Sequence, residues 1–222
     1  MDSIREYLAQ VQEVLAALSL EEVRQVIDVL RHVRWRGSQV FILGNGGSAA
    51  TASHFACDLA KGTIVPGEPR FKAIALTDSL PLFSALANDI GYESVFVEQL
   101  VALFQPEDVV IGISGSGNSA NVLHAISFAR SVGATTIGFT GFDGGRLKDM
   151  VDICVLVPCF CMEQVEDVHL VLEHLICTCL RDSRIERYAI SDVEGKYDYG
   201  SGCERKANAF PKLDYSPYCR GS

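Results

Sequence analysis

Apolar positions follow two rhythms along the chain. Between residues 3 and 35, Ile4, Leu8, Val11, Val14, Leu15 and Leu18 recur at helical spacing, and Val23, Val26, Ile27, Leu30 and Val33 repeat it. This predicts two helices, with Ser19 as the N-cap of the second and Glu22 in the capping-box position. From residue 38 onward, short continuous apolar runs alternate with longer amphipathic segments. The runs are VFIL (40–43), KAIAL (72–76), DVVIGI (108–113), TTIGFT (135–140) and ICVLV (153–157). Unbroken apolar runs of this length suit strands buried on both faces of a parallel sheet. Helical patterns lie between them at 47–62, at 80–103 with a break near Asn88–Gly91, at 118–131 and at 163–182. The alternation predicts an α/β fold with right-handed crossovers.

After Leu180 the periodicity stops. Residues 183–222, with GKYDYGSG and KLDYSPYCRGS, read as an irregular tail, which leaves 1–182 as the folded domain: helices over 3–35 and an α/β core.

With 48% hydrophobic and 21% charged residues, 222 residues suit one domain with a sizeable core. The net charge of −9, with no basic patch, argues against a nucleic-acid partner. An anionic small molecule stays open, because a local ring of donors outweighs distant surface charge. The N-terminal MDSIREYLAQVQEVL lacks the apolar stretch of a signal peptide, and no window reaches the roughly 18 apolar residues of a membrane span. The expectation is a cytoplasmic protein without membrane contact. Its 8 cysteines form no CxxC pair and sit mostly in apolar surroundings, which reads as buried free thiols. Cys159 and Cys161 could hold a soft metal, but nothing else at metal-binding spacing joins them.

Two loops carry the first candidate chemistry. GNGGS (44–48) and SGSGNS (114–119) each follow an apolar run and each open a helix. In an open parallel sheet, ligands bind beyond the carboxyl ends of the strands. Glycines there let backbone N–H groups approach an anion, and the helix N-terminus adds partial positive charge. Ser48, Ser114, Ser116 and Ser119 supply hydroxyl donors, a set suited to a phosphate monoester or a polyhydroxylated ligand. Both loops also satisfy a loose G-x-G-x-x-A pattern. The ribose-binding acid expected about 20 residues on is absent from its place, Asp78 lying further away, and no Walker lysine follows either loop. A nucleotide is therefore not expected.

Ionisable residues on two helices carry the second. His54 and Asp58 stand four apart and share a face of the helix that the first loop opens. On the last helix, Glu166 and His174 lie two turns apart with His169 between them, while Asp167 and Glu173 read as solvent-facing. Two imidazoles and two carboxylates can form a metal site or an acid/base pair for proton transfer.

Taken in order, GNGGSAATASHFACDLAKG, ALANDIGYESVFVEQL, GISGSGNS, TGFDGG and QVEDVHLVLEHLICTCL resemble the sugar isomerase (SIS) domain, and within it the phosphoheptose isomerases, over residues 5 to 182. These convert sedoheptulose 7-phosphate to glycero-manno-heptose 7-phosphate. The resemblance implies a three-layer sandwich, with a five-stranded parallel sheet between helices, and a homotetramer with active sites at subunit interfaces. It implies a phosphate seat of Ser48, Ser114, Ser116 and Ser119 with Gly46, Gly47 and Gly115, and a sugar site lined by Asn45 and Asp89. It further implies one zinc ion per site on His54, Asp58, Glu166 and His174, with Asp58 and His174 as acid and base of an enediol isomerisation. Asp58 stands where the family has glutamate, and Glu166 where it has glutamine. Both substitutions keep a coordinating oxygen, and the added carboxylate favours a bound cation. A chain that bound phosphosugar as a sensor or adaptor would keep the serine loops and lose the acid/base pair; this one keeps both.

Overall fold

The computed structural model describes residues 2–182 of the chain, so the expected tail at 183–222 lies outside the described residues. Two helices lead, α1 (Asp2–Ala16) and α2 (Leu20–Arg36). The core follows as β1 (Gln39–Gly44), α3 (Gly47–Cys57), β2 (Lys72–Ala75), α4 (Leu80–Asp89), α5 (Val97–Leu103), β3 (Val109–Ser114), α6 (Ala120–Ser131), β4 (Thr135–Thr140), α7 (Gly145–Met150), β5 (Ile153–Leu156) and α8 (Met162–Arg181). Ser19 is the N-cap of α2 as its position predicts, but its side chain makes no capping hydrogen bond. The break expected near Asn88–Gly91 separates α4 from a 3₁₀ turn (Tyr92–Ser94) and α5. The six-residue α7 has too few turns to show a helical period in the sequence.

The five strands form one parallel sheet in the order β2-β1-β3-β4-β5. Side chains alternate between its faces, so β1 and β3 each feed two cores. Val40, Ile42, Ile111, Ile137 and Phe139 pack against α2, α3 and α8. Phe41, Leu43 and Val110 pack against α5, α6 and Leu147 of α7, with Phe83 and Leu86 of α4 at the margin. Each such side chain, taken fully out of water, contributes about 1.5–3 kcal/mol. Three layers result, helices on both faces of the sheet. Burial on both faces holds for β1, β3 and β4; the edge strands β2 and β5 are only half buried, because no neighbour covers their outer side.

In the order 2-1-3-4-5 the winding direction reverses between β1 and β3, which pair directly, Gly44 opposite Ile113. A crevice opens beyond the strand ends at such a reversal. The two glycine-serine loops leave those two strands, so the topology places them side by side.

At Asp58 the helix of α3 widens into a π turn (Asp58–Gly62), closed by the Thr63 N–H donating to the Asp58 carbonyl at 3.1 Å. Buried Arg34 of α2 braces this region. Its guanidinium donates to the carbonyls of Thr63, Pro69 and Leu180 and pairs with Glu68 at 2.9 Å, tying the π turn to the end of α8. Among the described residues, no helix is long and apolar enough to cross a membrane.

Candidate active site

The first loop turns at Gly46, whose φ of 56° and ψ of −122° are open to glycine and strained for other residues. α3 starts one residue later, with Ser48 buried in its first turn. Asn45 is fixed by a closed amide pair: its Nδ2 donates to Asn121 Oδ1 at 2.8 Å, and Asn121 Nδ2 donates back to Asn45 Oδ1 at 2.9 Å. Asn121 is buried at the start of α6, where its Oδ1 also accepts the Val122 N–H. The pair clamps the first loop to the helix that the second loop opens. Tyr92 Oη donates to the same Asn45 oxygen at 2.8 Å, joining the segment after α4. Asp89, at the end of α4, is exposed and accepts the Asn88 amide.

In the second loop the hydroxyls of Ser114 and Ser119 lie 3.2 Å apart, and the Ser116 hydroxyl accepts the Asn118 N–H. Gly117 has φ 64°, and a Cβ there would collide with the Gly144 carbonyl. Gly115 packs under Met162 of α8, and its carbonyl accepts the Gly141 N–H at 2.8 Å. Three strand-end loops thus interlock around one serine cluster.

Beside the loops, α3 and α8 run side by side in the same direction and bring four ionisable side chains together. His54 Nε2 and His174 Nε2 lie 3.8 and 3.9 Å from the same Asp58 oxygen, Oδ2. His54 Nδ1 and His174 Nε2 lie 3.5 and 4.0 Å from Glu173 Oε1. The rings meet edge to face, their centroids 5.0 Å apart. One ligand atom from each of the four residues can be chosen so that all lie within 4.8 Å of one another. Both histidine side chains are about half exposed, Asp58 is 28% exposed and Glu173 is 0% exposed. Burial, reinforced by the Asp58 charge, pushes the Glu173 carboxyl up to about 8.

Two readings from the sequence are corrected here. Glu173 does not face solvent, and the carboxylate that α8 brings to His54, Asp58 and His174 is Glu173 rather than Glu166. The cause is helix register. Glu166 packs on Gly47 so closely that a Cβ on that glycine would meet its carboxylate at 2.5–2.6 Å. Seven residues further along both helices, His54 meets Glu173. Seven residues are nearly two turns, so the same faces meet again about 10 Å along the axis. Glu166 therefore stands over the first turn of α3, beside the glycine loop, and Glu173 stands over the imidazoles.

His169 lies apart from the cluster. It is buried against the sheet, its Nε2 3.2 Å from the Thr140 carbonyl, and desolvation lowers its pKa to about 4. Cys159 and Cys161 turn their thiols to different partners, Gln164 Oε1 and Glu163 Oε2. Of the cysteines expected to be buried, Cys57 is exposed.

Residues 5–141 match the family model described as the SIS domain. A phosphoheptose isomerase of Aquifex aeolicus is 36% identical over 179 residues, 81% of this chain and 93% of that relative. The chain belongs to the SIS domain family and, within it, to the phosphoheptose isomerases. Solved phosphoheptose isomerases from Neisseria gonorrhoeae and Francisella tularensis share this SIS fold, at TM-scores of 0.74 and 0.75 and identities of 31% and 29%. Each comparison covers 81% of this chain and 97% of the other.

Sequence reading had not placed Glu173, Asn121 or Tyr92 at this SIS site. Glu173 left a usable signal, since it continues the buried stripe His169, Glu173, Cys177 at four-residue steps beside Val168, Leu172 and Ile176. Asn121 and Tyr92 left none, because their roles depend on which loops the sheet order makes neighbours.

Proposed function

We propose that this chain is an aldose–ketose isomerase of phosphosugars, converting sedoheptulose 7-phosphate to D-glycero-D-manno-heptose 7-phosphate through an enediol. The observation that carries this reading is the convergence of His54, Asp58 and His174 next to a serine-lined crevice at the reversal point of the sheet. Membership of the phosphoheptose isomerases supplies the substrate class.

Ser48, Ser114, Ser116 and Ser119, with the backbone of Gly46, Gly47 and Gly115, would seat the phosphate. Asn45 and Asp89 would hold sugar hydroxyls, with Glu166 over the first turn of α3. Asp58 and His174, whose side chains are partly exposed, would move protons at the two carbons of the enediol and their oxygens. One removes the C1 proton alpha to the C2 carbonyl while the other protonates the carbonyl oxygen, giving the enediol. A proton then returns to C2 as the C1 hydroxyl gives up its own, leaving the aldehyde at C1.

The residues fit a divalent cation. Two neutral imidazoles and two carboxylates balance its charge, and with one ligand atom taken from each, all four lie within 4.8 Å of one another. His54, Asp58 and His174 would hold it, and when bound it supplies Lewis-acid stabilisation of the developing oxyanion.

The half-exposed histidines and the exposed apolar residues Ile4 and Leu8 of α1, Leu80 of α4 and Leu175 of α8 suit a homo-oligomer, for which we propose the tetramer with active sites at subunit interfaces. A cytoplasmic location suits this phosphosugar chemistry. The test is conversion of sedoheptulose 7-phosphate, followed by product analysis, with a sugar-dependent thermal shift in parallel. Turnover supports the isomerase. A thermal shift without turnover at any zinc concentration would make the chain a phosphosugar sensor instead.

A further inference from the structure

Glu173 is an anomaly that the isomerase chemistry leaves unused. Its side chain is 0% exposed, and neither carboxylate oxygen accepts a hydrogen bond from any described residue. A buried carboxylate without a donor is strongly destabilised in its charged form. The nearest cationic candidates are His54 Nδ1 at 3.5 Å and His174 Nε2 at 4.0 Å, both beyond hydrogen-bond reach. Asp58 faces the same two rings from the other helix. The group that would satisfy all four residues at once is a cation at their centre.

We infer that Glu173 is a metal ligand in this chain, completing with His54, Asp58 and His174 a set of two imidazoles and two carboxylates for a divalent cation. The helix register supports this over a set containing Glu166. Gly47 faces Glu166 and His54 faces Glu173 along the same helix pair, so the carboxylate level with the imidazoles is the one at 173. Glu173 is also the one member that solvent does not reach. It forms the floor of the site, leaving the half-exposed side open to substrate. The inference rests on the isomerase reading for the position of the site, but its test does not depend on turnover.

The full chain, dialysed against chelator, is titrated with zinc in the absence of sugar, and melting is followed with and without the ion. The variants are Glu173→Gln, nearly isosteric and neutral, and Glu166→Gln. Glu173→Gln is expected to weaken zinc at least tenfold and to lose the zinc-dependent rise in Tm. Its metal-free form should melt no lower than the metal-free wild type, because a nearly isosteric amide replaces a buried carboxyl that no donor satisfies. Glu166→Gln should bind zinc within threefold of wild type. Cobalt supplies a second readout, since loss of a ligand oxygen changes its visible absorption. Zinc affinity within threefold of wild type in Glu173→Gln, with an unchanged cobalt spectrum, overturns the assignment. A chain that binds zinc through Glu173 but turns over no phosphoheptose would sink the isomerase reading alone.

Discussion

The imidazoles of His54 and His174 meet edge to face at 5.0 Å, although one lies on the third helix and the other on the last. Both turn Nε2 toward Asp58 Oδ2. Asp58 is able to serve both because it stands at the point where α3 widens into a π turn, a distortion that often marks functional sites.

If Asp58 and His174 exchange the proton, removing either should be severe for rate and mild for stability, since His174 is half exposed and Asp58 is 28% exposed. His174→Ala and Asp58→Asn are each expected to lower kcat about 10²–10⁴-fold, with little change in Tm. Steady-state kinetics beside thermal melts separates the two effects.

The glycines predict a contrast. Gly47→Ala places a Cβ against the far end of the flexible Glu166 side chain, which can swing away. We expect a raised KM and a Tm close to wild type. Gly117→Ala combines φ 64° with a collision against the Gly144 backbone, which cannot swing. It should lower stability by more than 1 kcal/mol, read in urea unfolding.

The Asn45–Asn121 pair should matter more than its tyrosine neighbour. Asn121→Ala leaves the Asn45 amide and the Val122 N–H without their acceptor in a buried place, so it is expected to destabilise by about 1–3 kcal/mol and to raise KM. Tyr92→Phe removes one hydrogen bond at an exposed ring and should cost under about 1 kcal/mol. Chemical denaturation of both variants checks the order.

Two buried groups give the metal-free protein opposing pH slopes. His169, held near 4 in the fold against an ordinary value near 6.5, stays neutral while the unfolded chain takes up a proton. Its contribution is present above about pH 6.5 and is lost as pH falls toward 4, amounting to about 3 kcal/mol. Glu173, raised to about 8, keeps its proton in the fold where the unfolded chain has lost it. Its contribution is present below about pH 4.5 and is lost as pH rises through about 8. Stability curves of wild type, Glu173→Gln and a His169 variant between pH 4 and 9 should show each slope vanish with its residue.

Much of the fold was legible because burial imposes a period. The five apolar runs became five parallel strands, and Val165, Val168, Leu172 and Ile176 announced the inner face of α8. The glycine-serine loops were legible because few other residues tolerate their turns. The pairing of Glu173 with His54 was not, since it depends on how far α8 slides along α3, and one helical repeat separates the two candidate carboxylates. A charged residue in a buried stripe reads as an exception to be turned outward, until its partners from another helix are known.

The most direct test of the central claim is turnover of sedoheptulose 7-phosphate by the purified, zinc-supplied full chain, with His174→Ala measured under identical conditions. The account predicts formation of D-glycero-D-manno-heptose 7-phosphate by the wild type and its loss, by at least about 10²-fold, in a variant that still folds. Equal turnover by the two proteins would contradict it.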